Sequence, residues 1–535
     1  MRVLAAFPLA LIFLLPLAAS LLFILPDAVN AAALRDLLAH PQFPGALRLS
    51  LLTGLASTLL SLVVAVAVIF AAGARNLAGR AGMFLAVPHL SLAIGLAFLI
   101  MPTGIVARLL APIAGWSSPP QWVTTQDRWG LALIAALVLK ETPFLVWAFA
   151  SLLNRDDLRR QFEGQQAVAR SLGHGPASAF LRIVLPQLLP RALGPLIAVL
   201  AYGLTVVDMA LVIGPTQPPT LAQLVWTDIN DAAPAVSARG GAGVIMLALV
   251  VALVIAVSAL VVSIAKRVRQ RFYGAAPHPG WVTPRPLAVL WPGLLAIYAA
   301  AVLIMIMQSV SGHWPFPRLV PGVVTFKAWS HLAAEPAPLL ASLVLALASA
   351  GVAVAACVAW LEWTPPRADR VLAPAAILVL CLPALLLALG EYRLFLALGI
   401  TGTGPALLLA HLLPVTAYVF LLLAGPYRAF DPRWQATAHG LRAQRLPFLL
   451  RIKWPMLKAP LLSAAAVGYA VSVAQFVPAQ LAAAGRFATL PMEAVTLSSG
   501  GNRPLIATYG LALMALPLAG FLLASRLARP RWSTR

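Results

Sequence analysis

Few side chains in this 535-residue sequence could do chemistry, and those few sit inside apolar runs. Lys140 and Glu141 lie deep in one run, Asp208 toward the far end of another, and Gln475 at the matching place in a third. Ionisable groups at membrane depth are costly and face a bundle interior. These four are therefore candidates either for a solute's path or for the interhelical hydrogen bonds that hold a bundle together. On a helix Lys140 and Glu141 project about 100° apart, so they cannot simply pair with each other. A chain that hydrolysed ATP itself would need a phosphate-cradling loop closing on Gly-Lys-Ser/Thr. None of the five lysines (140, 266, 327, 453, 458) follows a glycine, so no catalytic residue is expected. Eight histidines are scattered without an H-E-x-x-H pattern or a Cys/His cluster, so neither a metal site nor a cofactor is expected. His89 and His411 read as hydrogen-bonded packing residues. Cys357 and Cys381 fall within apolar runs and cannot form an extracellular disulfide framework.

A second kind of signal is basic and amphipathic. The stretch "ARSLGHGPASAFLRIVLPQLLP" (169–190) returns 269 residues later as "AHGLRAQRLPFLLRIKWPMLKAP" (438–460). Ala167 falls on Ala436, Ala169 on Ala438, Gly173 on Arg442, Arg182 on Arg451 and Pro186 on Pro455, without a gap. The same offset joins Thr220-Leu221 to Thr489-Leu490. Between them it slips to 267, which sets Tyr202 on Tyr469 and Asp208 on Gln475. Small residues let a partner's backbone approach closely, and the Leu-Pro is expected to end the helix before the chain re-enters lipid. Arg182 and Arg451 are expected near the helix ends, where a cation suits the dipole. One such insert would read as an interfacial helix; two in register read as a pair of docking platforms.

The elements that must position these residues are membrane helices. The sequence is 61% hydrophobic and only 10% charged, with a mean hydropathy of +0.91, far from the balance of a soluble globular domain. Runs long enough to cross a bilayer recur near 4–25, 49–72, 83–105, 130–152, 192–213, 242–265, 287–309, 338–361, 371–390, 405–425, 460–482 and 506–526. The first is too long for a signal-peptide core and reads as an uncleaved helix. The expected fold is an all-α polytopic membrane protein of about twelve spans in two six-span repeats. Residues 1–273 form the first half, 274–286 a Pro/Gly-rich cytoplasmic linker, and 287–535 the second half. An even number of spans per copy makes the repeats parallel. The net charge of +22 is placed by topology: with both termini cytoplasmic, 27 of the 38 Lys/Arg lie inside, as the positive-inside rule requires. Both inserts, 154–190 and 428–458, are then cytoplasmic. The basic clusters suit anionic membrane lipid; they lack the aromatic-interleaved module that nucleic acid would need.

The insert resembles the EAA loop of binding-protein-dependent ABC importer permeases: Glu-Ala-Ala, three residues, Gly, nine residues, Ile-x-Leu-Pro. The first half shows Ala167-Val168-Ala169, Gly173, Ile183 and Leu185-Pro186, with Ala167 in place of the glutamate. The second shows Ala436-Thr437-Ala438, Arg442 in place of the glycine, Ile452 and Trp454-Pro455. "RIKWP" and "GRFATLPMEAVTLSSGGNRP" give the chain a look similar to the fused YnjC-type permeases and, more distantly, to the fused ferric-iron and thiamine permeases. The resemblance implies the type I importer permease fold in a bacterial inner membrane. Two copies of a cytoplasmic ABC ATPase would couple through Ala167, Ala169, Gly173, Arg182, Pro186 and their counterparts Ala436, Ala438, Arg442, Arg451 and Pro455. A periplasmic or lipid-anchored binding protein would deliver a small solute, and the fifth span of each half would line its path. A twelve-span secondary transporter driven by an ion gradient is the alternative, although "GARNLAGRAG" lacks the Asp-Arg core of the major facilitator signature. A membrane enzyme acting on lipid-linked substrates would want more external acid than the dispersed Asp228, Asp231 and Glu493.

Overall fold

The computed structural model describes residues 7–75, 77–271, 286–442 and 444–529. The linker expected over 274–286 falls, Pro286 aside, outside them. Backbone in hydrocarbon must satisfy its own N–H and C=O groups, and the protein is all-α, with no β-strand among the described residues. Nine helices there are long and apolar enough to cross a membrane: Phe7–Ala28, Phe43–Ala72, His89–Ala114, Leu131–Leu153, Pro234–Arg267, Leu287–Ser309, Ala337–Trp363, Gly404–Arg428 and Arg503–Ala528. Three more pass only as bent pairs: Pro176–Arg191 with Leu193–Thr205 (70°), Pro366–Cys381 with Ala384–Ala397 (106°), and Arg445–Met456 with Lys458–Val473 (76°). With each pair taken as one crossing there are twelve, numbered here spans 1 to 12 in chain order.

The chain forms two compact units, residues 27–327 and residues 1–26 with 328–535. Each unit holds five spans of one sequence half and the first span of the other half. In the unit of residues 27–327, span 2 packs along span 4 and along Leu193–Thr205, while Leu290–Ser309 of span 7 packs on His89–Ile100. In the other unit, span 8 packs with span 10 and with Lys458–Val473, and Leu15–Phe23 of span 1 packs on Ala384–Ala397. A glycine at the same helical position permits both exchanged contacts. A Cβ on Gly95 would stand 3.0 Å from the Cβ and the carbonyl oxygen of Ala301, and one on Gly390 would collide with the carbonyl of Ser20. Small residues at such crossings let helices meet backbone to backbone, which is how membrane helices gain packing without a hydrophobic drive.

The repeated Thr-Leu marks a repeated contact. The N–H of Leu221 donates to Ser50 Oγ at 2.8 Å, and the N–H of Leu490 donates to Ser342 Oγ at 2.8 Å. In each unit a buried serine of the long span thus receives an N–H at the start of the helix that follows the fifth crossing.

Three expected spans differ in detail. The runs at 192–213 and 460–482 are each broken: one helix ends at Thr205 and the next starts at Asp208, and one ends at Val473 and the next starts at Val477. The run at 371–390 bends at Leu382-Pro383, where the proline lacks an N–H to continue the ladder. Hydropathy is blind to the first and the third, whose breaks fall on Val206-Val207 and Leu382-Pro383, whereas the second carries one polar residue, Gln475.

Candidate functional site

The first insert starts as the helix Asp156–Ser171. It closes on Gly173 at φ +87°: the N–H of Gly173 donates to the carbonyl of Arg170 and that of His174 to the carbonyl of Ala169, both at 3.0 Å. This is the Schellman arrangement, which places the residue after the helix in the left-handed region where glycine is unstrained. Arg442, its counterpart, holds the same left-handed form at φ +54° despite its side chain. Ala169 and Ala438 are buried under the insert, Ala438 against Phe448 and Leu449, while Ala167 and Ala436 face outward.

The Leu-Pro does not end the helix as expected. Pro186 and Pro455 are carried inside Pro176–Arg191 and Arg445–Met456, and the chain bends later, at Ala192 and Leu457. The reason is a π-turn just ahead of each proline, over Phe180–Val184 and Leu449–Lys453. The N–H of Leu185 reaches the carbonyl of Phe180, and that of Trp454 reaches Leu449. The shifted ladder leaves the next position without a partner, which is where proline has no N–H to offer. Pro16 follows the π-turn Ala10–Leu14 in the same way. Arg182 and Arg451 therefore sit within these turns, exposed, and not at helix ends.

Each insert leaves the same two leucines in the open. Leu172 and Leu441 are 64% and 78% exposed, and Leu181 and Leu450 are 49% and 52% exposed. They surround a surface otherwise rich in arginine. Asp157, at the base of the first insert, accepts hydrogen bonds from Arg155, which hold its carboxyl below the usual carboxylate range.

At the other end of the broken fifth crossing lies a polar chain. Glu141 Oε1 meets His89 Nε2 at 3.0 Å, the His89 ring lies 4.4 Å from that of Tyr202, and the Tyr202 hydroxyl points to Asp208 Oδ1 at 3.4 Å. Asp208 opens the helix Asp208–Ile213 after the break. Lys140 goes elsewhere: its Nζ donates to the carbonyls of Phe84 and Val87 at 3.0 and 2.5 Å, capping the helix Leu77–Leu85. Glu141, His89, Tyr202 and Asp208 are thus brought together, and Lys140 stands beside them as a cap. In the second unit, Gln475 donates to the carbonyl of His411 at 3.2 Å, and His411 Nδ1 meets Ser472 Oγ at 2.8 Å. Lys140 and His411 each precede a helical proline by three residues, Pro143 and Pro414, and so occupy the same place. Glu391, fully buried with Oε1 unpartnered, was missed by the sequence reading, although a carboxyl inside an apolar run is by itself a signal. Asp228 is taken up by Arg239 in a two-pronged ion pair of 2.8 Å bonds.

No family model matches the chain. Over an alignment of 536 positions that covers 97% of each sequence, it is 30% identical to the inner membrane ABC transporter permease protein YnjC of Escherichia coli (strain K12).

Proposed function

The chain belongs to the ABC transporter permeases, as a fused YnjC-type member, and from that premise we propose that it is the membrane subunit of an importer. It forms the solute path in the bacterial inner membrane, and separate ATPase subunits supply the energy. The observation that carries this reading is the pair of inserts, which expose Leu172 and Leu181, and Leu441 and Leu450, at matching positions. Two like apolar faces on arginine-rich inserts fit two copies of one partner. A binding protein would dock on 214–241 and 485–505 at the opposite face, and rocking of the halves would alternate access. Gly173, Arg182 and their counterparts would shape the inserts; Glu141 and Asp208, at or beside the break in one unit, and Gln475, at the matching break in the other, would meet a passing solute.

The test is reconstitution. The purified chain alone is expected to hydrolyse no ATP and to gain hydrolysis only when the ATPase subunit is added. Uptake that survives loss of the ATPase and collapses when the proton gradient is dissipated would establish the secondary transporter instead.

The reading also needs both inserts inside. Cysteines at the exposed positions Ser171 and Gln444, in a chain lacking Cys357 and Cys381, are expected to resist impermeant thiol reagents in cells with a permeabilised outer membrane. Labelling at either position would reverse the topology.

A further inference from the structure

The shared serine contact sets a register between span 2 and span 8. Twenty residues beyond Ser50 stands Phe70, and twenty beyond Ser342 stands Glu362. On the insert side, the 269-residue offset pairs Pro176 with Arg445, Phe180 with Leu449 and Val184 with Lys453. In the second unit this place is filled by charge. The Glu362 carboxylate, 5% exposed, accepts from Lys453 Nζ at 2.6 Å, from Arg445 Nη2 at 3.0 Å and from the Tyr427 hydroxyl at 2.9 Å.

In the unit of residues 27–327 the same place holds no acid. The Phe70 ring meets that of Phe180 at 5.5 Å. Beside them opens a cleft of about 370 Å³, whose walls include Phe180 together with Phe70, Pro176 and Val184, the counterparts of Glu362, Arg445 and Lys453. Its rim carries Arg75, Arg159 and Arg170 against one carboxylate, Glu163. Arg159 is bonded to Asp156 at 2.9 Å. Among the described residues, Arg75 and Arg170 make no ion pair. The floor is apolar, with Ile69 and Leu153 toward the ends of spans 2 and 4, and the ends of a helix that just crosses the hydrocarbon core fall near the headgroups.

We propose that this cleft binds a phosphate-bearing anion, which takes the place that the Glu362 carboxylate takes in the other repeat. Guanidinium groups match phosphate oxygens in geometry as well as charge. An anionic phospholipid headgroup and a soluble phosphate share this chemistry, so the test has two arms. Delipidated full-length chain is titrated with phosphatidylglycerol in phosphatidylcholine micelles, and separately with inorganic phosphate. Bound ligand is counted by native mass spectrometry, and stability is followed by thermal unfolding. The R75Q/R170Q double variant, altered only at exposed side chains, is expected to weaken binding about fivefold per arginine removed. Phe70→Glu, which imports the internal acid of the other repeat, is expected to weaken it as well. Binding in the first arm alone assigns a lipid, and binding in the second a soluble phosphate. Equal binding of either ligand by wild type and R75Q/R170Q, or no binding in both arms, overturns the proposal; should Phe70→Glu fail to fold, the arginine pair decides.

Discussion

Gly173→Trp is expected to cut co-purification of the ATPase subunit roughly tenfold or more, with normal insertion into the membrane. Two causes act at this position, and a series of variants separates them. An L-residue in the left-handed region costs roughly 1–2 kcal/mol, and Gly173 sits there at φ +87°. Gly173→Ala carries that cost without bulk, so a partial loss is expected. Gly173→Asn tolerates the conformation and should be nearly normal. Tryptophan adds volume beside the exposed Leu172 and should fail outright. Arg442→Gly, which relieves the strained counterpart at φ +54°, is expected to be neutral or mildly stabilising. Cross-linking and co-purification of each variant with the ATPase give the readout. A Gly173→Trp protein that still holds its ATPase would make the insert an ordinary interfacial helix.

Glu362→Ala is expected to free the second insert from the end of span 8. Lys453 and Glu362 are 11% and 5% exposed and stand 2.6 Å apart. Removing one partner of a buried pair strands the other, at a cost of about 3–5 kcal/mol. Arg445, half exposed, loses less. Exchange of amide hydrogens over 445–456 should quicken, and thermal unfolding should begin earlier. The double change Glu362→Phe with Lys453→Val imports the pair found at Phe70 and Val184, and should recover much of the loss. Unchanged exchange in Glu362→Ala would show that the ionic cluster does not hold the insert.

How much of this was legible in the sequence depends on the range of the physics involved. The spans could be read because burial in lipid is a property of composition, and the repeat because it preserved Thr-Leu and the insert spacing. The serine contacts behind that Thr-Leu were not visible, since Ser50 and Ser342 lie far from it in the chain. The break before Asp208 was hidden by Val206 and Val207, which suit lipid in any conformation. The Leu-Pro reads as a stop in the sequence because a proline's effect depends on the turn ahead of it, and a π-turn leaves no mark in the composition. For the polar residues, types were visible but partners were not. Lys140 and Glu141 are neighbours in sequence, yet one caps carbonyls of Leu77–Leu85 and its surroundings while the other reaches His89, 52 positions away.

The exchanged first spans give this protein an order of assembly. Leu15–Phe23 packs on Ala384–Ala397, which the ribosome reaches only after most of the chain has been made. At synthesis rates of roughly 5–20 residues per second, the first helix waits in the bilayer for tens of seconds before its partner arrives. Leu290–Ser309 finds His89–Ile100 already in place. Two halves made as separate chains would each carry a first helix suited to the other. Fusion into one polypeptide keeps both halves within reach of each other until the trade is complete.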